Sequence, residues 1–191
     1  LKGGDTLDVF ASRAFALADH QLAHVYCKDE ASRAAARAVL ESLPGVGELL
    51  EGPARAAAGL EHDNAGDLIA LAERDSWFTY YYWTDPACAP DFAPTVDIHR
   101  KPGYDPCELF VDPVLRAPTL RIARRLAQKK LGFRYLMDVI PLDASLVKGS
   151  HGLVPEHPDD GPVWITGAPW SAANPEPSGG VVPMTSVKER V

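Results

Sequence analysis

The chain has 191 residues, 46% of them apolar, which is enough for a core and fits one domain of ordinary size or a piece of a larger one. A formal net charge of -7 argues against a nucleic-acid polymer or an anionic membrane surface as partner, although phosphate chemistry stays open where a cation supplies the charge. No apolar run reaches the roughly 18 residues that span a bilayer, and no basic-then-apolar leader is visible at the start.

Cys27, Cys88 and Cys107 form neither an even disulfide set nor a paired zinc signature, so a reducing compartment, or simply unpaired core thiols, is the default, and a cytoplasmic location is expected. The chain begins at Leu1 rather than at a methionine, so a signal further upstream would not be seen. Oligomeric state has no signature in the sequence.

In chain order, Ala14 to Leu17 reads as a short buried strand that runs into Ala18-Asp19-His20. Leu22 to Cys27 reads as a second strand, with His24 as an imidazole satisfied by a neighbour. Asp29 is placed to cap a helix whose Ala36, Val39, Leu40 and Leu43 fall at helical spacing, stopped by Pro44-Gly45. Val46 to Leu50 follows as a strand and Glu51-Gly52-Pro53 as a turn, and strand, helix, strand is the signature of an α/β layer.

A short alanine-rich helical piece and a polar loop fill 53 to 66, and Leu68 to Ala72 is another buried strand. The aromatic stretch Trp77 to Trp83 suits a strand, and in an acidic chain it reads as core or pocket wall rather than a base-stacking platform.

Residues 84 to 113 change character, because prolines at 86, 90, 94, 102, 106 and 113 exclude regular helix or central strand. Interleaved Phe92, Val96, Ile98, Tyr104, Leu109 and Phe110 argue for an ordered segment carrying Asp97, His99, Arg100, Lys101 and Asp105. It reads either as a cleft lid or as a structural wrap with surface ion pairs. Pro118 opens a helix with Leu120, Ile122, Ala123 and Leu126 inward, Lys129-Lys130 in its last turn and Gly132 beyond. Tyr135 to Pro141 reads as a buried strand, Pro162 to Thr166 as another, 172 to 180 as a loop, and Met184 onward as the start of a helix.

Two places suggest chemistry. Asp19 and His20 put a carboxylate and an imidazole side by side at a strand end, where an irregular loop lets both reach one metal ion. His151 sits in Gly149-Ser150-His151-Gly152, and glycines on either side allow a histidine to be held in a tight turn against a ligand.

Three stretches together carry a family likeness: Ala18-Asp19-His20, then Trp77 to Trp83 with Ala89-Pro90-Asp91-Phe92 and Asp97 to Pro106, then Gly149-Ser150-His151-Gly152 followed by Gly161 to Ile165. The chain resembles the type I phosphodiesterase and nucleotide pyrophosphatase family of the alkaline phosphatase superfamily, as its C-terminal portion over residues 1 to 191. In that family the corresponding Asp, His and late His bind metal. The likeness therefore implies Asp19, His20 and His151 as ligands of a centre with two divalent ions, zinc by type, and a small phosphate ester as substrate. His99, Arg100, Lys101 and Tyr104 become candidates for substrate or lid contacts.

The implied fold is α/β, a three-layer α/β/α arrangement with a mostly parallel central sheet. The sequence departs from the family in Gln21, where glycine is usual, and no nucleophile segment precedes Asp19. Alone, these residues are expected to have little activity. The rival expectation is a non-catalytic metal- or metabolite-binding module on the same scaffold, and a sulfatase or phosphomutase would share the metals but need another nucleophile segment.

Overall fold

The computed structural model describes residues 4–96, 106–165, 167, 182 and 184–187. The chain divides into two compact units, residues 1–153 and 154–191.

In the first unit, β1 (Ala14–Asp19) and β2 (Leu22–Cys27) form an antiparallel hairpin, from Ala14 opposite Cys27 to Asp19 opposite Leu22. His20 and Gln21 make the connecting turn. Helix α1 (Glu30–Ser42) begins where Asp29 accepts hydrogen bonds from the backbone N–H of Ser32 at 2.7 Å and its hydroxyl at 2.6 Å. It leads through Pro44-Gly45 into β3 (Val46–Leu50), and the short α2 (Gly52–Ala57) precedes β4 (Leu68–Ala72).

The sheet order is β1-β2-β4-β3 and every neighbouring pair is antiparallel. This corrects the expected three-layer α/β/α arrangement with a mostly parallel sheet: the described residues form one four-stranded antiparallel sheet and three α-helices. The physical reason lies in β4. Strands β2 and β3, joined by α1, run in the same direction, as strand, helix, strand implies, but β4 inserts between them and pairs antiparallel with both. Leu68, Ile69 and Ala70 are fully buried, so β4 is the centre of the core.

Gly66, just before β4, shows how tightly this strand enters. A Cβ there would stand 2.6 Å from the backbone nitrogen of Val25 and 2.8 Å from the carbonyl oxygen of Leu68. Its own N–H donates to His24 Nδ1 at 3.0 Å, and its carbonyl accepts from Arg55 at 2.6 Å. His24 is thus satisfied by a neighbour, as expected.

Trp77 to Trp83 joins no sheet. Its rings pack on one another instead: buried Trp83 stacks on Tyr81 at a centroid distance of 4.6 Å and meets Tyr80 and Tyr82 edge to face at 5.9 and 5.1 Å. Tyr135 to Pro141 does not form the expected strand either. Its sheet-like pairing is a single bridge from Asp138 to Thr95, supported by hydrogen bonds from Val96 to Met137 and from Ile140 to Pro94. The partner segment carries Pro90 and Pro94, which lack the amide donor that a longer ladder needs.

Helix α3 (Pro118–Lys130) has the expected bounds but not the expected inward face. Leu120 and Leu126 are 71% and 50% exposed, and the helix instead turns Arg121 and Arg125 onto Asp138, with N–O distances of 2.5 and 2.7 Å. In the second unit, Pro162 to Ile165 is not a strand, and Met184–Ser186 is one turn of 3-10 helix. Thr166 and residues 172 to 180 lie outside the described residues. Among the described residues no helix is long and apolar enough to cross a membrane.

Candidate metal centre

A two-residue hairpin turn favours positive φ, because only then does the turn follow the twist of the strands it joins. His20 takes that conformation at φ 58, which for a residue with a Cβ costs about 1–2 kcal/mol. The surroundings hold it there. Phe78 N–H donates to the His20 carbonyl at 2.6 Å and Ala72 N–H to the Gln21 carbonyl at 2.9 Å, while the Gln21 side-chain amide donates to the carbonyls of Arg74 at 3.1 Å and Ser76 at 3.2 Å.

The same turn receives His151. Gln21 N–H donates to the His151 carbonyl at 2.9 Å. Gly152 has φ +126, and a Cβ on it would press within 3.2 Å of both the Cβ and the backbone nitrogen of Gln21, so glycine is what lets the segment come this close. The two imidazole rings meet edge to face with centroids 4.2 Å apart. His20 Nε2 lies 3.9 Å from a carboxylate oxygen of Asp19.

The outcome is a cluster in which one ligand atom each from Asp19, His20 and His151 lie within 4.8 Å of one another. His20 is buried, whereas Asp19 and His151 are exposed, so the cluster opens to solvent on one side. Burial lowers the His20 pKa below its ordinary value, and the neighbouring His151 adds to this against the opposing pull of Asp19. Its imidazole is therefore neutral at neutral pH, the form that offers a lone pair to a cation.

The structure brings together the three residues that the sequence nominates as ligands, at the end of β1, in the turn and across from it. His99, Arg100, Lys101 and Tyr104 lie outside the described residues. Sequence reasoning missed Gln21, which reads there only as a departure from a family glycine. The signal that could have found it is the length of the turn: with strands ending at Asp19 and resuming at Leu22, a polar side chain in the two residues between can reach across both flanking segments.

Comparison of the chain with protein-family models, with curated proteins and with solved structures finds no match.

Proposed function

We propose that Asp19, His20 and His151 hold a divalent metal ion, and that the chain is the metal-carrying part of a phosphoric ester hydrolase. The observation that carries the reading is the convergence of a carboxylate oxygen and two imidazole nitrogens within 4.8 Å on a pinned turn. Catalytic zinc takes this kind of donor set, three protein ligands with one position left open. A bound ion would polarise a phosphoryl oxygen and lower the pKa of an oxygen nucleophile.

The chain's own residues do the preparatory work. His20 stays neutral because it is buried, Asp19 brings the negative charge that favours a cation, and His151 arrives on a segment fixed to the turn through Gln21. The resemblance of the Asp19-His20 and His151 stretches to the type I phosphodiesterase family supports a phosphoric ester as substrate and zinc as the ion. The antiparallel sheet lends no support to either.

A second reading is favoured by the donor count. Among the described residues this is the one group of three or more such side chains, enough for one ion and short of the two that the resemblance implies. On that count the chain is a non-catalytic module with a single metal site.

Zinc titration by calorimetry, with hydrolysis of bis-p-nitrophenyl phosphate by the complete protein, decides between them. The hydrolase reading expects zinc binding and zinc-dependent hydrolysis that are lost together in His20→Ala and in His151→Ala. Zinc bound without hydrolysis selects the module, and unchanged zinc binding in both variants rejects the site.

A further inference from the structure

The sheet order leaves two edges, β1 and β3. The β3 edge is broken by a register shift between Val46 and Glu48 and carries the Glu48 charge, two features that discourage pairing with another chain. From Ala14 to Ala18, β1 has no charge, proline or bulge. Its two-residue turn makes Asp19 and Leu22 a hydrogen-bonded pair, so Phe15, Leu17 and Asp19 bond to β2, and Lys28 N–H extends the ladder to the Arg13 carbonyl at 2.9 Å. The N–H and C=O groups of Ala14, Ala16 and Ala18 therefore point away from the sheet. None of them has a hydrogen-bond partner among the described residues. Ala16 and Leu17 are exposed, so another backbone can reach this edge.

A second copy fits the edge by its own symmetry. In an antiparallel pair centred on Ala16, Ala16 meets the partner subunit's Ala16 and Ala14 meets the partner subunit's Ala18, so every outward N–H finds a carbonyl. The same register sets Leu17, 54% exposed, opposite the partner subunit's Phe15, whose ring stacks on Tyr26 within its own chain at 5.2 Å. At each end Arg13 comes opposite the partner subunit's Asp19, a match of opposite charges between two exposed residues. Arg13 also donates to Ser32 Oγ at 3.4 Å and lies near Asp29, so this match sets register more than strength. On the other face, Ala14 and Ala16 line a cavity of about 360 Å³ together with Ala35, Ala36, Val39 and Leu40 of α1. A two-fold axis perpendicular to the sheet brings the second α1 to that same face, where Val39 is 57% exposed in the single chain.

We propose that the chain forms a two-fold dimer in which β1 pairs antiparallel with the β1 of a second copy, joining two four-stranded sheets into one. The pairing stands without the metal reading.

Sedimentation equilibrium of the purified chain tests this, with a chelator and a reductant present to exclude metal-bridged and disulfide-bridged pairs. The variants are Leu17→Lys, which sets a charge on the edge, and Ala16→Pro, which removes an outward amide. Leu17 is exposed and the Ala16 N–H lies outside the β1–β2 ladder, so both variants are expected to keep the fold, as circular dichroism checks. If Ala16→Pro unfolds, Leu17→Lys alone decides. The wild type is expected to dimerise, with a dissociation constant raised at least about tenfold in each folded variant and unchanged in Leu120→Lys, which alters an exposed leucine of α3. A wild type that stays monomeric overturns the proposal and leaves the edge to an extended segment of another protein. A dimer as strong in Leu17→Lys as in the wild type, or one weakened equally by Leu120→Lys, overturns it as well.

Discussion

At Gln21 the backbone N–H, the backbone carbonyl and the side-chain amide all leave the hairpin turn and bond to segments distant in sequence. Replacing it with alanine keeps the two backbone bonds and removes both side-chain ones, leaving the carbonyls of Arg74 and Ser76 without their donor. A loss of about 1–2 kcal/mol is expected in urea unfolding, with a several-fold weaker zinc affinity because the turn that carries His20 loosens. A Gln21→Ala variant that matches the wild type in both measurements removes Gln21 from the account. Protonation tests the same turn from another side. The His20 pKa is lowered in the folded chain, so the unfolded chain binds more protons as pH falls below the ordinary histidine value near 6.5. The contribution of His20 to stability is therefore fully present above about 6.5 and lost as pH falls through the lower folded value. Denaturant midpoints measured between pH 7.5 and 5 are expected to fall more steeply for the wild type than for His20→Gln. Parallel curves would mean that the imidazole does not titrate differently in the two states.

At the scale of elements, α3 is held by charge where a leucine face was expected. Burial pushes the Asp138 carboxyl up, but hydrogen bonds from Arg125 and Arg121 outweigh it and hold the group well below the usual carboxylate range. Because two guanidinium groups share this one largely buried carboxylate, Asp138→Asn is expected to cost about 2–3 kcal/mol, read from chemical denaturation, with loss of α3 helicity. A change under about 0.5 kcal/mol would place the anchor of α3 elsewhere. Gly66→Ala tests the entry to β4: a methyl 2.6 Å from a backbone nitrogen must displace one chain or the other, at a cost of about 1–3 kcal/mol. What was legible in the sequence at this scale was local. The Asp29 cap, the Pro118 start and the apolar run of β4 are written in adjacent residues, and α1, α3 and β4 have the bounds those residues imply. The inward face of α3 was not legible, because the pull of Asp138 on Arg121 and Arg125 comes from outside the helix.

The same division holds for the molecule as a whole. That β4 lies between β2 and β3 depends on a choice of partner across tens of residues, so a strand, helix, strand pattern reads as parallel when the strand that will separate the pair is still to come. The metal cluster was legible as residue types but not as a place, since nothing near Asp19 announces that the His151 segment will dock on the turn. The core that results is thin. Among the described residues its buried apolar side chains include four alanines, Ala23, Ala70 and Ala72 of the sheet and Ala93 of the segment before Thr95, while Phe10, Leu109, Val114, Leu120, Leu131 and Phe133 are all more than 60% exposed. Alanine contributes little transfer free energy, so the fold is expected to be only modestly stable without a ligand. A ligand that binds the folded chain alone adds stability by mass action, about 2.7 kcal/mol at a concentration one hundred times its dissociation constant. At about 2–4 °C per kcal/mol for a domain of this size, zinc at that excess should raise Tm by about 5–10 °C. The rise should vanish in His20→Ala and His151→Ala, whose donors are gone, and persist in Lys148→Ala, whose side chain is not among them. A shift of equal size in all four proteins would mean that zinc acts on some other part of the surface and that the cluster on the β1–β2 turn does not hold it.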